Sequence, residues 1–231
     1  MRARTTLALL LAVGAAAFAV LACGGRREEP KEERLLVLDG LEIKLADVQP
    51  YIDFMKSAVP EAGVNTCIQT VLEEHLIPLR VAQRAFPTER QAMKARADDL
   101  CKVATNVLEL DQQTQYLPRA EKRRSRTTRL HLRLPVAIYA LDVLKIGAVS
   151  PPLEMPEGWL VAGVCDVKES PALAVADEAE VLYVGFYTHP TGEWLNYYAA
   201  ERARLADKAT FVHPDYLYAM PTWIQLPKKT P

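Results

Sequence analysis

The sequence predicts an α+β protein, mainly helical toward the N-terminus, with a small sheet after it and a C-terminal helix and strand. Three observations predict it. Asp39-Gly40 lies between the apolar runs "LLVL" and "LEI", and that dipeptide favours a type I′ hairpin turn, which needs positive φ at both central residues. Val48, Tyr51, Ile52, Met55 and Val59 then recur at helical spacing. Over residues 159–167 the period drops to two, with Trp159, Val161, Gly163, Cys165 and Val167 on one face of a strand.

The 231 residues are 50% hydrophobic and 25% charged, with a net charge of −1. That composition suits one or two globular cores. Near-neutrality argues against a nucleic-acid partner, and no Cys or His spacing suits a metal site, so neither cofactor nor metal is expected. Residues 1–22 carry Arg2 and Arg4 ahead of an apolar, Ala-rich stretch that ends at Cys23, a leader pattern too short for a confident membrane span. Residues 24–34 are charged and lack apolar period, as in a flexible tether.

Along the mature chain, a first helix follows the hairpin, with Pro50 tolerable in its opening turn. A second helix over residues 65–86 buries Ile68, Val71, Leu72, Leu76 and Leu79, and Pro78 should kink it. A long third helix runs to about Tyr116, with Met93, Ala97, Leu100, Ala104, Val107 and Leu108 inward. Cys67 and Cys101 fall near the facing sides of this pair, so a disulfide between them and two buried thiols both stay open. The basic run over residues 119–133 is either a contact for anionic headgroups or acidic clients, or a solvated connector; the connector is favoured. A strand is expected over residues 179–187. A helix over residues 192–208 should bury Trp194, Leu195, Tyr198, Leu205 and Ala206, ahead of a last strand. The aromatic tail over residues 216–223 either offers apolar surface to clients or covers the core.

The histidines and acids give little chemistry by themselves. His75 reads as a partly buried helix residue, and His189 and His213, each before a proline, read as turns. Asp47, Glu73 and Glu74 read as solvated helix faces. No nucleophile triad, phosphate loop or dinucleotide fingerprint is present.

Three stretches resemble known families. "VLAC" over residues 20–23 resembles the lipobox of bacterial lipoproteins, which implies lipidation of Cys23. Gly24 after it favours the outer membrane over the inner. "LVLDGLEI", the helix starting near "ADV", "VLEEHLIPLRVAQRA" and the charged helix after it resemble the N-terminal domain of SurA-type periplasmic chaperones, over about residues 35–117. Lys44 departs from that pattern, which commonly has Ser or Thr as the cap. "ALDVLKIGAVSPPLEMPEGWLVAGVCDV" resembles the final third of a parvulin-type (PpiC-like) prolyl isomerase domain, matching at Leu141, Leu144, Gly147, Val149, Ser150, Pro152, Gly158 and Trp159. A candidate opening strand has Leu130, Leu132 and Leu134 around His131. Leu160 stands where that family has a histidine, and only a few residues occupy the space of two helices.

The resemblances imply a lipoprotein facing the periplasm, divided into a leader (1–22), a tether (23–34), a SurA-like helical domain (35–128), a truncated parvulin-like remnant (129–168) and a C-terminal segment (169–231). They imply a chaperone-like protein that binds unfolded exported polypeptides, attached to the membrane through Cys23, without isomerase activity. His131 is the weak catalytic candidate, and Tyr51, Met55, Leu76 and Trp159 are the candidate peptide contacts. Two alternatives stay open: an active prolyl cis-trans isomerase, and an assembly lipoprotein with one dedicated partner.

Overall fold

The computed structural model describes residues 33–118, 121–128, 131–138, 146–169 and 178–226. The leader, Cys23, most of the tether, and Leu130, Leu141 and Leu144 lie outside them. From Arg34 onward the chain forms one compact unit of mixed α and β structure.

β1 (Arg34–Leu38) and β2 (Leu41–Lys44) form the expected hairpin. Asp39 and Gly40 have φ of 48° and 77°, as a type I′ turn requires. β1 pairs on its other side with β7 (Ala209–Val212), giving a three-stranded antiparallel sheet in the order β2-β1-β7. The C-terminus therefore returns to the first strand.

α1 (Leu45–Ala58) follows without a loop. The Lys44 N–H donates to the Asp47 carboxylate at 2.9 Å, so the acidic side chain caps the start where Lys44 cannot. Pro50 is the sixth helical residue, not part of the opening turn, and the Ala46 carbonyl thereby loses its usual donor. α2 (Val64–Val71) and α3 (Ile77–Ala85) are joined by a π turn, Leu72–Leu76. The kink expected at Pro78 takes this form. Proline has no N–H and crowds the carbonyl four residues back, and the wider π turn relieves both problems.

The long third helix is two helices. α4 (Pro87–Val103) stops at Ala104, and α5 (Val107–Gln113) restarts after Asn106. The Asn106 side chain accepts the Glu109 N–H at 3.0 Å, and Glu109 in return accepts the Thr105 N–H at 2.7 Å. Two competing side-chain bonds thus end one helix and begin the next. Val107 turns inward while Leu108, expected inside, is 75% exposed. Asn106→Ala should cost about 1 kcal/mol, read as a lower urea midpoint at unchanged slope.

The second sheet is four-stranded and antiparallel, β3-β6-β5-β4, from β3 (Lys122–Thr128), β4 (Leu153–Met155), β5 (Gly158–Lys168) and β6 (Glu178–Tyr187). Residues 122–128 of the basic run expected as a connector form its edge strand. Arg126 bonds Glu180 directly opposite at 2.7 Å and Asp166 at 2.9 Å, and Lys122 bonds Asp111 at 2.7 Å. Charge pairing across the ladder replaces the apolar alternation that marks most strands, and a charged edge discourages pairing with other chains. The boundaries expected at 128 and 168 fall inside this sheet, because β3 and β6 belong to it with β4 and β5.

Three core clusters hold the unit together. The first joins the three-stranded sheet to α1, α2, α3 and α7 (Thr191–Leu205) through Leu36, Val48, Ile68, Leu72 and Trp194. The second lies on one face of the four-stranded sheet, where Leu160, Ala162 and Val164 meet Phe54 and Val136 of α6 (Leu134–Ile138). The third lies on the opposite face, where Val161, Leu182 and Val184 meet Ala97 of α4 and Leu110 of α5. Burial on both faces explains why β5 reads as an almost continuous apolar run.

Candidate functional site

Between the first and second clusters runs a polar seam. Arg80 on α3 bonds Asp47 on α1 at 3.0 Å and Gln83 at 3.0 Å. Gln83 donates to Glu154 on β4 at 3.0 Å. Arg90 of α4 is 4% exposed. It donates to the Glu154 carboxylate at 3.0 Å and to the carbonyls of Met155 and Pro156 at 2.9 and 2.8 Å. A buried guanidinium is tolerated only with such acceptors, and here they serve the two terminal nitrogens while Nε is buried without a partner.

His75 and Tyr51 occupy the same seam. The π turn holds the His75 ring 5.2 Å from that of Tyr51, and His75 is 3% exposed. Burial, then the Arg133 charge, pulls its pKa from 6.5 to about 4, with Arg80 and Arg90 adding to the effect and Glu154 opposing it. Burial, then Asp47 and Glu154, pushes Tyr51 up to about 12. His75 is therefore a neutral imidazole at physiological pH. A small pocket of about 80 Å³ opens beside it, lined by Glu74, His75, Arg133, Leu134, Pro135 and Met155.

The sign of the resulting pH dependence follows from linkage. Between pH 6.5 and about 4 the unfolded chain binds a proton at His75 that the folded chain does not, so stability is complete above 6.5 and falls as pH drops through this window. The upper bound on the loss is about 3 kcal/mol. Urea melts at pH 7 and pH 4.5 should differ less in His75→Phe than in the parent chain; an equal drop in both would show that His75 does not carry the effect.

A second, larger depression of about 320 Å³ lies between α7 and the C-terminal tail. Its walls are Leu195, Tyr198, Ala199, Arg202, Ala203, Ala206 and Trp223. Leu195, expected inside, is 57% exposed. The Tyr198 hydroxyl and Trp223 Nε1 are buried without a hydrogen-bond partner. The Arg202 guanidinium stacks 5.2 Å from the Trp223 ring and bonds Glu73 of the π turn at 3.4 Å.

The expected site residues are distributed as follows. Tyr51 and Met55 are half-buried along the seam, Met55 packing against both the first and second clusters. Leu76 is a core residue, 4% exposed. Trp159 lies on the third cluster, beneath Lys94, and its Nε1 donates to the Arg90 carbonyl at 3.0 Å. The four do not line one cleft. His131 follows β3 instead of lying within a strand, and its exposed Nδ1 is 2.6 Å from Thr128 Oγ1. Of the strand expected around it, Leu130 lies outside the described residues, Leu132 is buried in the second cluster and Leu134 opens α6, while Arg124 and Arg126 of β3 find a partner in Glu180 on β6. Cys67, Cys101 and Cys165 are free thiols. Cys67 is sealed in the first cluster and Cys101 packs on the third, so the disulfide considered for them is not formed. Among the described residues no three His, Cys, Asp or Glu side chains are grouped to hold a metal, and no helix is long and apolar enough to cross a membrane.

The sequence read the aromatic tail ending at Trp223 either as a client surface or as a core cover, and Trp223 packs against the first cluster while lining the groove. Arg90 and Glu154 carried no local signal, one sitting in an ordinary charged helix and the other 64 residues further on.

By class, then, the chain is an α+β unit of two antiparallel sheets bridged by helices, with a polar seam and an open apolar groove. No family model, no curated protein and no solved structure matches it.

Proposed function

We propose that the protein is a polypeptide-binding, chaperone-like lipoprotein of the cell envelope, anchored through Cys23 and without prolyl isomerase activity. The observation that carries this reading is the groove beside α7: exposed Leu195, a floor of Ala199, Ala203 and Ala206, and two buried polar atoms, Tyr198 Oη and Trp223 Nε1, without partners. An extended polypeptide offers apolar side chains for the floor, and its backbone supplies carbonyl acceptors for the indole N–H and the phenol. The expected contacts Tyr51, Met55, Leu76 and Trp159 have a different role in this reading, as packing residues behind the site. The isomerase alternative draws little support from His131, which is solvent-exposed and engaged with Thr128.

The test is a fluorescence-anisotropy titration of the full chain with an unfolded outer-membrane protein and with a folded control. Saturable binding of the unfolded chain alone, weakened about tenfold by Leu195→Asp, is the expected result. Binding unaffected by Leu195→Asp would move the site elsewhere. No binding to either probe would overturn the chaperone reading and favour a single dedicated partner.

A further inference from the structure

His75 has unused hydrogen-bonding capacity. It is 3% exposed, and among the described residues its ring packs against that of Tyr51, with no hydrogen bond to either ring nitrogen. The imidazole lines a pocket with room for a group of a few heavy atoms. It is held there by a π turn, an irregularity common at functional sites.

The charges around the pocket select the kind of ligand. Arg133 is bonded to Glu157 at 2.8 Å, Arg80 to Asp47 at 3.0 Å and Arg90 to Glu154 at 3.0 Å, and Glu74 adds one more carboxylate at the rim. Each arginine already has its anion, so an incoming anion gains no net Coulombic advantage, and an ammonium or guanidinium, which has donors only, would leave the imidazole N–H without an acceptor. A neutral imidazole presents one donor and one acceptor. Leu134, Pro135 and Met155 supply an apolar wall. The complement is a neutral group with one acceptor and one donor on a short apolar arm.

We infer that the pocket formed by His75, Arg133, Leu134, Pro135 and Met155 binds a carboxamide, its carbonyl accepting from the imidazole N–H or Arg133 and its N–H donating to the other imidazole nitrogen or Glu74. Two sources share this chemistry, an Asn or Gln side chain and a backbone peptide group. The site is separate from the α7 groove and does not depend on that groove's binding polypeptides.

The experiment uses the full chain with its four histidines labelled for NMR. Acetamide stands for the side-chain source, N-methylacetamide for the backbone source, and acetate is the charged control. Saturable movement of the His75 signal by an amide, with dissociation constants on the order of millimolar, is expected, and whichever amide binds more tightly identifies the source. Acetate should leave that signal in place. A Leu134→Trp variant fills the pocket and should abolish the response, its fold verified by unchanged signals from His131, His189 and His213. The assignment fails if neither amide gives a saturable shift, so that the pocket holds water only. It fails equally if acetate binds as well as the amides, or if the response survives in Leu134→Trp.

Discussion

Replacing Arg90 with methionine is expected to lower the unfolding free energy by about 3 kcal/mol, the lower end of what breaking a buried ion pair costs. The methionine fills the space of the aliphatic stem, so the loss is mainly electrostatic. Three acceptors are abandoned at once: the Glu154 carboxylate and the carbonyls of Met155 and Pro156. Glu154 keeps the Gln83 amide at 3.0 Å and a side chain 31% exposed, which holds the figure at the lower end. The carbonyls of the buried Met155 and Pro156 lose their guanidinium donors as well. Guanidinium melts give the value, and the double variant Arg90→Met/Glu154→Gln should recover about 1 kcal/mol of it, because a neutral amide is cheaper to leave half-satisfied than a carboxylate. If the single and double variants lose the same amount, Glu154 is not the stranded partner.

Gly158→Ala should be comparably damaging for a reason unrelated to charge. Gly158 opens β5 at φ 153°, outside the range that side chains adopt easily, opposite Tyr187 on β6. A Cβ there would lie 2.0 Å from the Phe186 carbonyl oxygen and 3.0 Å from both the Phe186 carbonyl carbon and the Tyr187 Cα. All three are backbone atoms in the neighbouring strand, so no rotamer change makes room. Relief requires β5 and β6 to separate at the end that carries Trp159 and Phe186. The strain and the lost ladder bonds together should reach about 3 kcal/mol, which for a chain of this size lowers Tm by roughly 10 °C. Thermal melts check the magnitude. Amide exchange checks the location, since acceleration should be greatest at the Gly158 end of β5 and β6; a uniform loss of protection would contradict a local clash.

What the sequence made legible divides along a physical line. The hairpin at Asp39-Gly40 could be read because its rule is local: two neighbouring residues must accept positive φ. β5 could be read by its period, but only as far as Cys165. A bulge lies between Val164 and Asp166, so Val167 joins Leu160, Ala162 and Val164 on the second cluster instead of following Trp159 and Val161 to the third. One extra residue reverses every face beyond it. The break before α5 had a visible signal, Asn106 followed three residues later by Glu109, which the surrounding apolar spacing obscured. β3 had none, because what makes "KRRSRTT" a strand is Glu180, 54 residues from Arg126. The seam follows the same rule. Tyr51 and Met55 could be recognised as inward-facing from helical spacing, whereas the pairing of Arg90 with Glu154 and the exposure of Leu195 depend on distant segments that pattern reading does not bring together.

The return of β7 to β1 fixes an order of events during synthesis. β1 lies between β2 and β7, and the two partners arrive far apart in time: β2 follows immediately, while β7 emerges on the order of ten seconds later at ordinary elongation rates. Throughout that interval Leu36 and Val37 present a half-built ladder, and the Leu35 carbonyl waits for the His213 N–H that it finally accepts at 2.9 Å. The first sheet is thus begun first and finished last. Chains interrupted before Ala209 are left with an open edge at their very start, which makes the C-terminal strand the step that commits a nascent molecule to its native form.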